Sequence, residues 1–363
     1  MKIANMHFEP DEIGPELVIE AYDKSTGLRG ILVIDNTHRG VAKGGIRMTS
    51  SVSMEEIFRL ARAMTFKNAL ADLPFGGGKS GIVSDTKDKE EKKKLIQAFA
   101  KAIKELCPSR YIAGPDVNTG EEEMRWFAEA IGNLDACTGK PKDLGGLPHE
   151  LGSTGYGVAH ATKVAIEFMD LDINNTTIAI DGFGNVGSFT AKFLSEMGAK
   201  IIAVSDSKGC IYNHSGLNVE NLLNVKKETG SVINYKDGKV LETSKVYEIE
   251  ANVLIPASLS DVINENNFNK IKAKIIVEAA NIPMREHIEQ KLFERNVLIV
   301  PDIIANAGGV ISSYAEYKKM SEQEMFSLVK EKITKNTKII LERSDIENRP
   351  TRTVAIEIAK ERI

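Results

Sequence analysis

Residues 176–206 read TTIAIDGFGNVGSFTAKFLSEMGAKIIAVSD, and this stretch decides the fold. Its β-branched start, Thr176–Asp181, predicts a strand, a glycine-rich turn follows, and Ser188–Met197 has the apolar spacing of a helix. Lys200–Ser205 is a second apolar run of the strand type. The order strand, glycine turn, helix, strand predicts one βαβ unit of a parallel sheet.

The turn Gly182-Phe183-Gly184-Asn185-Val186-Gly187 is a G-x-G-x-x-G motif, which is weak evidence alone because glycine-rich turns are common. Here it joins a predicted strand to a predicted helix, and Asp206 ends the next strand, 19 residues after Gly187. This context favours a dinucleotide site over a turn that binds nothing. Glycines let the backbone approach a pyrophosphate, and the helix N-terminus donates free N–H groups to it. The predicted cofactor contacts in this segment are Gly182, Gly184, Asn185, Val186, Gly187 and Asp206.

The residues at the end of the second strand leave the choice between NAD and NADP open. A carboxylate at Asp206 favours the free 2′-hydroxyl of NAD, from which it can accept hydrogen bonds. Ser207 and Lys208 follow directly and could instead hold the 2′-phosphate of NADP. We therefore expect either NAD or NADP as the cofactor, with Ser207 as a further contact.

Three later apolar runs indicate more buried parallel strands, at Val253–Ile255, Lys274–Val277 and Val297–Val300. Each ends in small or polar residues, such as Glu278–Asn281 after the second run. Ligands of open α/β sheets bind beyond the carboxyl ends of the strands, so these loops are predicted to line one crevice.

The chain length predicts two domains. Single cores stop growing near about 250 to 300 residues, and this chain has 363. We predict the α/β class, with an N-terminal α/β substrate domain, a Rossmann-like dinucleotide-binding domain and a cleft between them. Residues 1–148 are assigned to the substrate-binding and oligomerisation domain and 149–334 to the NAD(P)-binding domain. The helical segment 335–363 is predicted to pack back on the first domain.

Composition excludes several classes of protein. A formal charge of −4 with 42% hydrophobic and 27% charged residues fits a soluble enzyme and not a nucleic-acid binder. Three separated cysteines predict no disulfide framework, and six histidines show no metal-ligand spacing, so no metal site is expected. We find no apolar signal core and no apolar run of about 18 residues. A cytoplasmic protein without a membrane partner is therefore expected.

The N-terminal half carries lysines close to glycine-rich segments. Leu28–Asp35 is predicted to be a strand, followed by a glycine turn at Lys43–Gly45. Ser53 and Glu56 form a capping box at the start of a helix whose apolar stripe ends in Lys67. A lysine on that side must reach solvent, pair with an acid or face a cleft, because an unpaired buried ammonium is costly.

Phe75–Gly81 reads FGGGKSG and invites comparison with a nucleotide-binding P-loop. That motif needs a glycine at position 73, which is Leu73, so this alternative is weak. The preferred interpretation places Lys79 on a glycine turn facing the cleft, near Lys67 and Asp116. Neighbouring ammonium groups lower one another's pKa, so one lysine could act as a base near neutral pH. For each residue alone, a surface lysine or a loop aspartate remains the alternative.

Together these segments resemble the glutamate, leucine, phenylalanine and valine dehydrogenase family, and most of all the archaeal glutamate dehydrogenases. The similarity extends over nearly the whole chain. The segments that carry it are Lys43–Arg47, Met64–Asn68, Leu73–Gly81, Asp116–Thr119, Thr138–Pro141, Thr154–Gly157, Gly182–Gly187 and Asn306–Gly309.

The resemblance implies a role for each matching residue. Lys67 would bind the substrate α-carboxylate, Lys79 would activate the water that attacks the iminium, and Asp116 would transfer protons to the amine. The implied reaction is the NAD(P)-dependent oxidative deamination of an L-amino acid to a 2-oxo acid and ammonia. The implied additional cofactor contacts are Thr154, Asn281 and Asn306. Asn281 matches the family position beside the nicotinamide ribose, and Asn306 lies on a loop expected near the same ring.

The resemblance also indicates the substrate. Family members that use glutamate carry a lysine and a serine that bind its side-chain carboxylate, and the matching residues are Lys43 and Ser313. A charge-assisted contact discriminates more strongly than an added methylene, so L-glutamate and 2-oxoglutarate are the best-supported pair. The alternatives are a leucine, valine or phenylalanine dehydrogenase and a non-catalytic relative with a binding or regulatory role.

Two features depart from the glutamate-specific pattern. Glu150 lies where many glutamate dehydrogenases have an arginine, and Asp23–Leu28 is more similar to the leucine enzymes. The resemblance implies a homo-oligomer, for which we favour a hexamer and keep an octamer or a dimer as alternatives.

Overall fold

The computed structural model describes residues 10–147 and 151–363, and the chain forms two compact units. The position of the predicted charge reversal, Glu150, lies outside the described residues. Unit 1 comprises the described residues up to Leu151, Val310–Met325 and Ala359–Ile363, and unit 2 comprises Gly152–Gly309 and Phe326–Ile358.

Strands and helices alternate along most of the described chain. The strands are β1 (Leu17–Asp23), β2 (Leu28–Asn36), β3 (Ala42–Thr49), β4 (Gly76–Val83), β5 (Tyr111–Pro115), β6 (Thr177–Asp181), β7 (Lys200–Asp206), β8 (Gly209–Tyr212), β9 (Lys239–Leu241), β10 (Val253–Pro256), β11 (Ile275–Val277) and β12 (Leu298–Val300). The α-helices are α1 (Met54–Leu70), α2 (Lys89–Ala102), α3 (Glu121–Ile131), α4 (Ser153–Phe168), α5 (Asn185–Glu196), α6 (Val219–Thr229), α7 (Glu286–Glu294), α8 (Asp302–Ala305), α9 (Gly308–Tyr317), α10 (Glu322–Glu347) and α11 (Thr351–Glu361).

Unit 1 is built on a mixed sheet in the order β1-β2-β4-β3-β5. β1, β2 and β4 pair antiparallel, whereas β3 runs parallel to both β4 and β5. Phe99 of α2 and Phe127 of α3 are fully buried in one core cluster with Tyr111 of β5. Each such side chain contributes roughly 1.5–3 kcal/mol through burial.

Two predicted glycine turns in unit 1 are wrong, because their residues lie inside strands. Lys43–Gly45 belongs to β3 and Lys79 belongs to β4. The glycines there permit close approach of neighbouring backbone. A Cβ on Gly44 would lie 1.7 Å from the carbonyl oxygen of Gly78, and one on Gly77 would lie 2.0 Å from Thr65 Oγ1.

Helix α1 begins as predicted. Ser53 is its N-cap and its hydroxyl accepts a hydrogen bond from the Glu56 N–H at 3.2 Å. The Glu56 carboxylate accepts a hydrogen bond from Arg47 at 2.6 Å instead of completing the predicted capping box. The helix ends one turn after Thr65, with half-buried Lys67 in its last turn.

Unit 2 is built on a seven-stranded sheet in the order β12-β11-β10-β6-β7-β8-β9. The pairs from β12 to β7 are all parallel, and β8 and β9 extend the sheet antiparallel. The five strands predicted from residues 176 to 300 are confirmed, with small differences at their ends. The unit is therefore an open, mostly parallel α/β sheet of the predicted type.

The C-terminal segment divides differently from the predicted domain boundaries. Residues 335–358 belong to unit 2, and only the last five residues belong to unit 1. Hydrogen bonds explain this division. Thr351 Oγ1 donates to the Ile299 carbonyl at 2.7 Å in unit 2, whereas Arg362 donates to the Leu70 carbonyl at 2.7 Å in unit 1.

Among the helices described, none combines the length and apolar character needed to cross a membrane.

Candidate active site

An ion pair between a buried lysine and a half-buried aspartate joins the two predicted catalytic residues in unit 1. Lys79 Nζ lies 2.7 Å from Asp116 Oδ2. Lys79 sits in the middle of β4, and Asp116 directly follows β5, so strand pairing through β3 sets their separation. At this distance a proton can pass between the two groups without an intervening water.

Burial and charge shift the pKa of both groups. Burial lowers the pKa of Lys79, and the attraction of Asp116 only partly opposes that effect. Burial by itself would raise the pKa of Asp116, but Lys79 and Arg47 outweigh it and the pKa is lowered. The pair therefore holds an ionised carboxylate beside a lysine that releases its proton more readily than an exposed lysine does.

Arg47 is a member of this cluster that the sequence reasoning did not select. Its Nε lies 3.1 Å from Asp116 Oδ2, and its Nη1 lies 2.6 Å from Glu56 Oε1. The signal was present in the sequence, because alternate residues of a strand share one face. Lys43 and Arg47 are four residues apart in β3 and so project to the same side.

Lys43 is a buried cation, with only 4% of its surface exposed. Its Nζ donates a hydrogen bond to the Ala113 carbonyl at 2.9 Å, which uses one of its three donor protons. Burial lowers the pKa of Lys43 to about 8, although the nearby Glu316 carboxylate opposes this effect. A buried ammonium of this kind is suited to bind an anion.

The two remaining predicted substrate contacts are half-buried. Lys67 lies in the last turn of α1, and Ser313 lies in α9. Both belong to unit 1. All five residues that were predicted to bind or transform the substrate are therefore contributed by one compact unit.

A second buried ion pair in unit 1 was missed by the sequence reasoning. Lys140 Nζ lies 2.7 Å from Glu316 Oε1, and the same carboxylate accepts hydrogen bonds from the backbone N–H groups of Gly139 and Leu147. Glu316 lies three residues after Ser313 in α9. The pair therefore ties the segment Thr138–Pro141 to the helix that carries Ser313.

The glycine-rich turn of unit 2 has the geometry of an anion-binding loop. Gly182 has φ of +92°, and a Cβ on Gly187 would lie 1.9 Å from the Gly182 carbonyl oxygen. Gly184 is the N-cap of α5 and supplies no side-chain cap to the first N–H groups of that helix. A Cβ on Gly184 would meet no atom within 4 Å, so the space beside this glycine is open at the start of α5. A helix N-terminus of this kind can bind the negative charge of a pyrophosphate.

The carboxylate of Asp206 is already fully hydrogen-bonded. Oδ1 accepts from the Lys208 N–H at 2.9 Å and from Ser231 Oγ at 3.1 Å. Oδ2 accepts from Lys226 Nζ at 2.7 Å and from the Val232 N–H at 2.9 Å. A carboxylate offers about four lone-pair sites, and four protein donors use them here. The predicted contact of Asp206 with a ribose hydroxyl stays a prediction. Burial would raise the pKa of Asp206, but these donors, with Lys226 first among them, lower it.

The loops after β11 and β12 bring two predicted cofactor contacts together. Asn306 Nδ2 donates to Asn281 Oδ1 at 3.0 Å and to the Ala279 carbonyl at 3.2 Å. A Cβ on Gly309 would lie 3.2 Å from Thr154 Oγ1, which places Thr154 beside the segment after Asn306. Ser207, in contrast, is exposed in the turn after β7.

Within residues 10–147 and 151–363, no group of three or more histidine, cysteine, aspartate or glutamate side chains is arranged to hold a metal ion. The absence of a catalytic metal stays a prediction from the sequence. The ionisable groups that cluster in unit 1 pair with each other instead.

Comparison with protein families gives two matches that together include most of the chain. The model described as "Glu/Leu/Phe/Val dehydrogenase, dimerisation domain" matches residues 15–133. The model described as "Glutamate/Leucine/Phenylalanine/Valine dehydrogenase" matches residues 145–363.

Individual proteins show the same similarity. The chain is 40% identical over 321 residues to a glutamate dehydrogenase of Aeropyrum pernix, covering 84% of this chain and 77% of the relative. It is 39% identical over 345 residues to an NADP-specific glutamate dehydrogenase of Saccharolobus shibatae, covering 90% and 82%. Among solved structures, a hetero-hexameric glutamate dehydrogenase from Thermus thermophilus has a TM-score of 0.83 at 27% identity, covering 96% of this chain and 88% of that one. An L-tryptophan dehydrogenase from Nostoc punctiforme has a TM-score of 0.77 at 26% identity, covering 97% and 96%.

Proposed function

The chain belongs to the Glu/Leu/Phe/Val dehydrogenase family, and we propose that it catalyses the NAD(P)-dependent oxidative deamination of L-glutamate to 2-oxoglutarate and ammonia. The observation that carries this proposal is the Lys79–Asp116 pair in the same unit as the buried cation Lys43. The first two residues supply acid–base chemistry, and the third supplies a site for a second carboxylate of the substrate.

The reaction needs one proton relay. When bound, the nicotinamide would supply the hydride acceptor, and loss of a hydride from the substrate Cα would leave an iminium carbon. Lys79 would take a proton from water as the water oxygen bonds to that carbon, and Asp116 would pass the proton to the amine nitrogen. As the carbon–nitrogen bond breaks and ammonia leaves, the new hydroxyl would give up the second proton of the water to Lys79, which has already passed on the first. The 2.7 Å contact between the two groups supports this relay.

Lys43 supports glutamate over an apolar amino acid. Placing a lysine at 4% exposure costs free energy, and the nearby Glu316 carboxylate offsets this cost only in part, since burial still lowers the pKa of Lys43. A substrate side-chain carboxylate would offset more of it. If the substrate side chain were apolar, the Lys43 ammonium would keep only its hydrogen bond to the Ala113 carbonyl, counting the described residues. We propose that Lys43 and Ser313 bind the substrate side-chain carboxylate and that Lys67 binds its α-carboxylate.

The test is an assay in the aminating direction. Purified protein would be mixed with ammonia, NADH or NADPH, and a panel of 2-oxoglutarate, branched-chain and aromatic 2-oxo acids, with consumption followed at the reduced-nicotinamide absorbance band. Consumption with 2-oxoglutarate alone supports the proposal. A preference for an aromatic or branched-chain acid would assign the chain to another branch of the family, and no consumption with any acid would favour a non-catalytic relative.

We further propose that NADP is used at least as well as NAD. A free carboxylate at the end of β7 would repel a 2′-phosphate, but Lys226 neutralises Asp206 and donors occupy both of its oxygens. Lys226 remains partly exposed, and Ser207 and Lys208 are exposed beside it. These side chains offer the cation and hydroxyl groups that a phosphate needs.

A homo-oligomer is also proposed, with a hexamer favoured. Two similarities support it: residues 15–133 match a family model named as a dimerisation domain, and the Thermus thermophilus protein is described as hetero-hexameric. Light scattering on a size-exclusion column distinguishes a hexamer from the octamer and dimer alternatives. The cytoplasmic location stays a prediction from the sequence.

A further inference from the structure

Unit 2 contains a buried cluster of four charged side chains that the proposed chemistry does not use. Arg352 of α11 reaches three carboxylates: Nη2 lies 2.5 Å from Glu278, Nε lies 2.6 Å from Glu289, and Nη1 lies 2.8 Å from Asp302. All three acids are buried, and Glu278 is fully inaccessible. A guanidinium satisfies three acids at once only because its donors form a rigid planar fork.

The cluster holds more negative than positive charge. Three ionised carboxylates against one guanidinium would leave a net charge of −2 in the interior, which is strongly unfavourable. Burial, reinforced by the neighbouring acids, raises the pKa of Glu278 and of Glu289. Glu278 Oε1 has no hydrogen-bond partner within the described part of the chain. Arg352 is therefore the main group that stabilises Glu278 in this place.

The same carboxylates hold the backbone of two loops. Glu278 Oε2 accepts a hydrogen bond from the Asp302 N–H at 2.8 Å, which joins the end of β11 to the start of α8. Asp302 Oδ2 accepts a hydrogen bond from the Ile282 N–H at 2.8 Å. Ile282 directly follows Asn281, and it has a left-handed φ of +49°, which is unusual for a β-branched residue. The cluster thus fixes the backbone on both sides of Asn281.

These two loops carry the side chains predicted to face the nicotinamide half of the cofactor. Asn281 lies between Glu278 and Ile282, and Asn306 follows Asp302 by one helical turn. The 3.0 Å hydrogen bond between the two asparagines depends on the relative position of the loops. A displacement of about 1 Å at such a site can change a rate by about 100-fold.

We propose that Arg352 is a positioning residue, which fixes the loops of Asn281 and Asn306 for the nicotinamide half of the dinucleotide without contacting the cofactor. This inference rests on the proposed function, because that function assigns the two asparagines to the cofactor site. The cluster is contributed entirely by unit 2, so its effect is expected on cofactor binding and not on recognition of the 2-oxo acid.

The test compares Arg352→Lys and Arg352→Met with the wild type and with Arg349→Met. Arg349 pairs with Glu347 and Glu357 close to the start of α11, but its side chain is much more exposed, so Arg349→Met is the matched control. Two ligands are titrated: the reduced dinucleotide that the wild type uses, and its adenosine half without the nicotinamide riboside, which is ADP for NADH or 2′-phospho-ADP for NADPH. Far-UV circular dichroism reports folding.

The Arg352 variants are expected to bind the reduced dinucleotide at least about tenfold more weakly, while their affinity for the adenosine half alone changes less than about twofold. Arg352→Lys should retain more affinity than Arg352→Met because it keeps the positive charge. Arg349→Met should match the wild type for both ligands. If Arg352→Met fails to fold, Arg352→Lys and the double variant Arg352→Met/Glu278→Gln, which removes the unpaired charge, carry the test.

Each outcome decides the matter. Equal loss of affinity for both ligands would show that Arg352 only supports the domain, and an unchanged dinucleotide affinity in the folded variants would overturn the positioning role. If the wild type binds neither ligand, the proposed function itself fails. If the wild type and the variants bind the dinucleotide equally well, only the positioning role of Arg352 fails.

Discussion

The two units of this protein use glycine and buried charge in different ways. In unit 2, Gly182 and Gly187 shape a turn, and the groups offered to a ligand are backbone N–H groups at the start of α5. In unit 1, Gly44 and Gly77 lie where backbone segments pack closely, and the groups offered to a ligand are lysine side chains. A glycine-rich sequence can therefore form a turn or allow two backbone segments to pack closely. Only the turn can be predicted from the spacing of the glycines.

Two aspartates show the same difference. Asp116 is held by two cations, and its short contact with Lys79 leaves a proton-transfer route through the pair. Asp206 accepts four hydrogen bonds from the protein, one of them from Lys226. A carboxylate at a sheet end can thus serve chemistry or hold a loop, depending on how many donors surround it.

The largest expected effect separates chemistry from cofactor binding. Lys79→Ala and Asp116→Asn should each lower kcat by at least about 1000-fold, because each removes a member of the proton relay. The Kd for the dinucleotide should stay within about twofold, because the predicted cofactor contacts belong to the other unit. Stopped assays for kcat and fluorescence titration for Kd measure both, with exposed Lys104→Ala as the control. Loss of cofactor binding in either variant would contradict the proposal that unit 1 supplies the catalytic residues and unit 2 the cofactor contacts.

The next effect tests the buried cation of unit 1. Lys43→Leu should lower kcat/KM for 2-oxoglutarate by about 100-fold or more, because a charge-assisted contact with the side-chain carboxylate is lost. Activity with apolar 2-oxo acids should rise relative to 2-oxoglutarate. Steady-state kinetics over the 2-oxo acid panel measures this, and Lys104→Ala again serves as the control. An unchanged preference would mean that the carboxylate binds elsewhere.

A smaller effect is expected at Lys226 of unit 2, where we propose that the dinucleotide 2′-phosphate binds. Lys226→Ala should lower the ratio of kcat/KM for NADPH to that for NADH by about tenfold, because it removes a cation and unmasks the negative charge of Asp206. Lys227→Ala is the control, since Lys227 is the exposed neighbour in α6. If the ratio of the two kcat/KM values is unchanged, Asp206 would instead have the role first expected from the sequence, which is to bind the ribose hydroxyl.

The smallest effect is a pH dependence. Burial lowers the pKa of Lys43 to about 8, so the ammonium is present below that pH and is lost as the pH rises through it. In the wild type, kcat/KM for 2-oxoglutarate should therefore contain a component that falls above about pH 8. A pH profile of kcat/KM reports groups of the free enzyme. The component should be missing in Lys43→Leu, and its persistence there would assign it to another group such as Lys79.

Much of unit 2 could be predicted because its signals are local. The five strands between residues 176 and 300 were found from short apolar runs, and the loop Gly182–Gly187 from its spacing between strand and helix. The strand assignments of Lys43 and Lys79 were missed, because glycine inside a strand looks like glycine in a turn until the neighbouring backbone is known.

The remaining omissions share one cause. Arg47 contacts Asp116 across 69 positions, Lys140 contacts Glu316 across 176, and Arg352 contacts Glu278 across 74. No periodicity links residues so far apart along the chain. Only Arg47 had a usable signal, its alternation with Lys43 on one face of β3.

The sequence by itself determined the α/β class, the dinucleotide loop and the kinds of residue available for chemistry, because strand period, turn glycines and helix caps are encoded over a few neighbouring positions. Only the tertiary structure decided which charges meet: that Lys79 pairs with Asp116, that Lys226 occupies Asp206, and that Arg352 binds three acids at once. The physical reason is that a charge is stabilised by whatever lies within a few ångströms in space, and folding brings together groups that are distant in the chain.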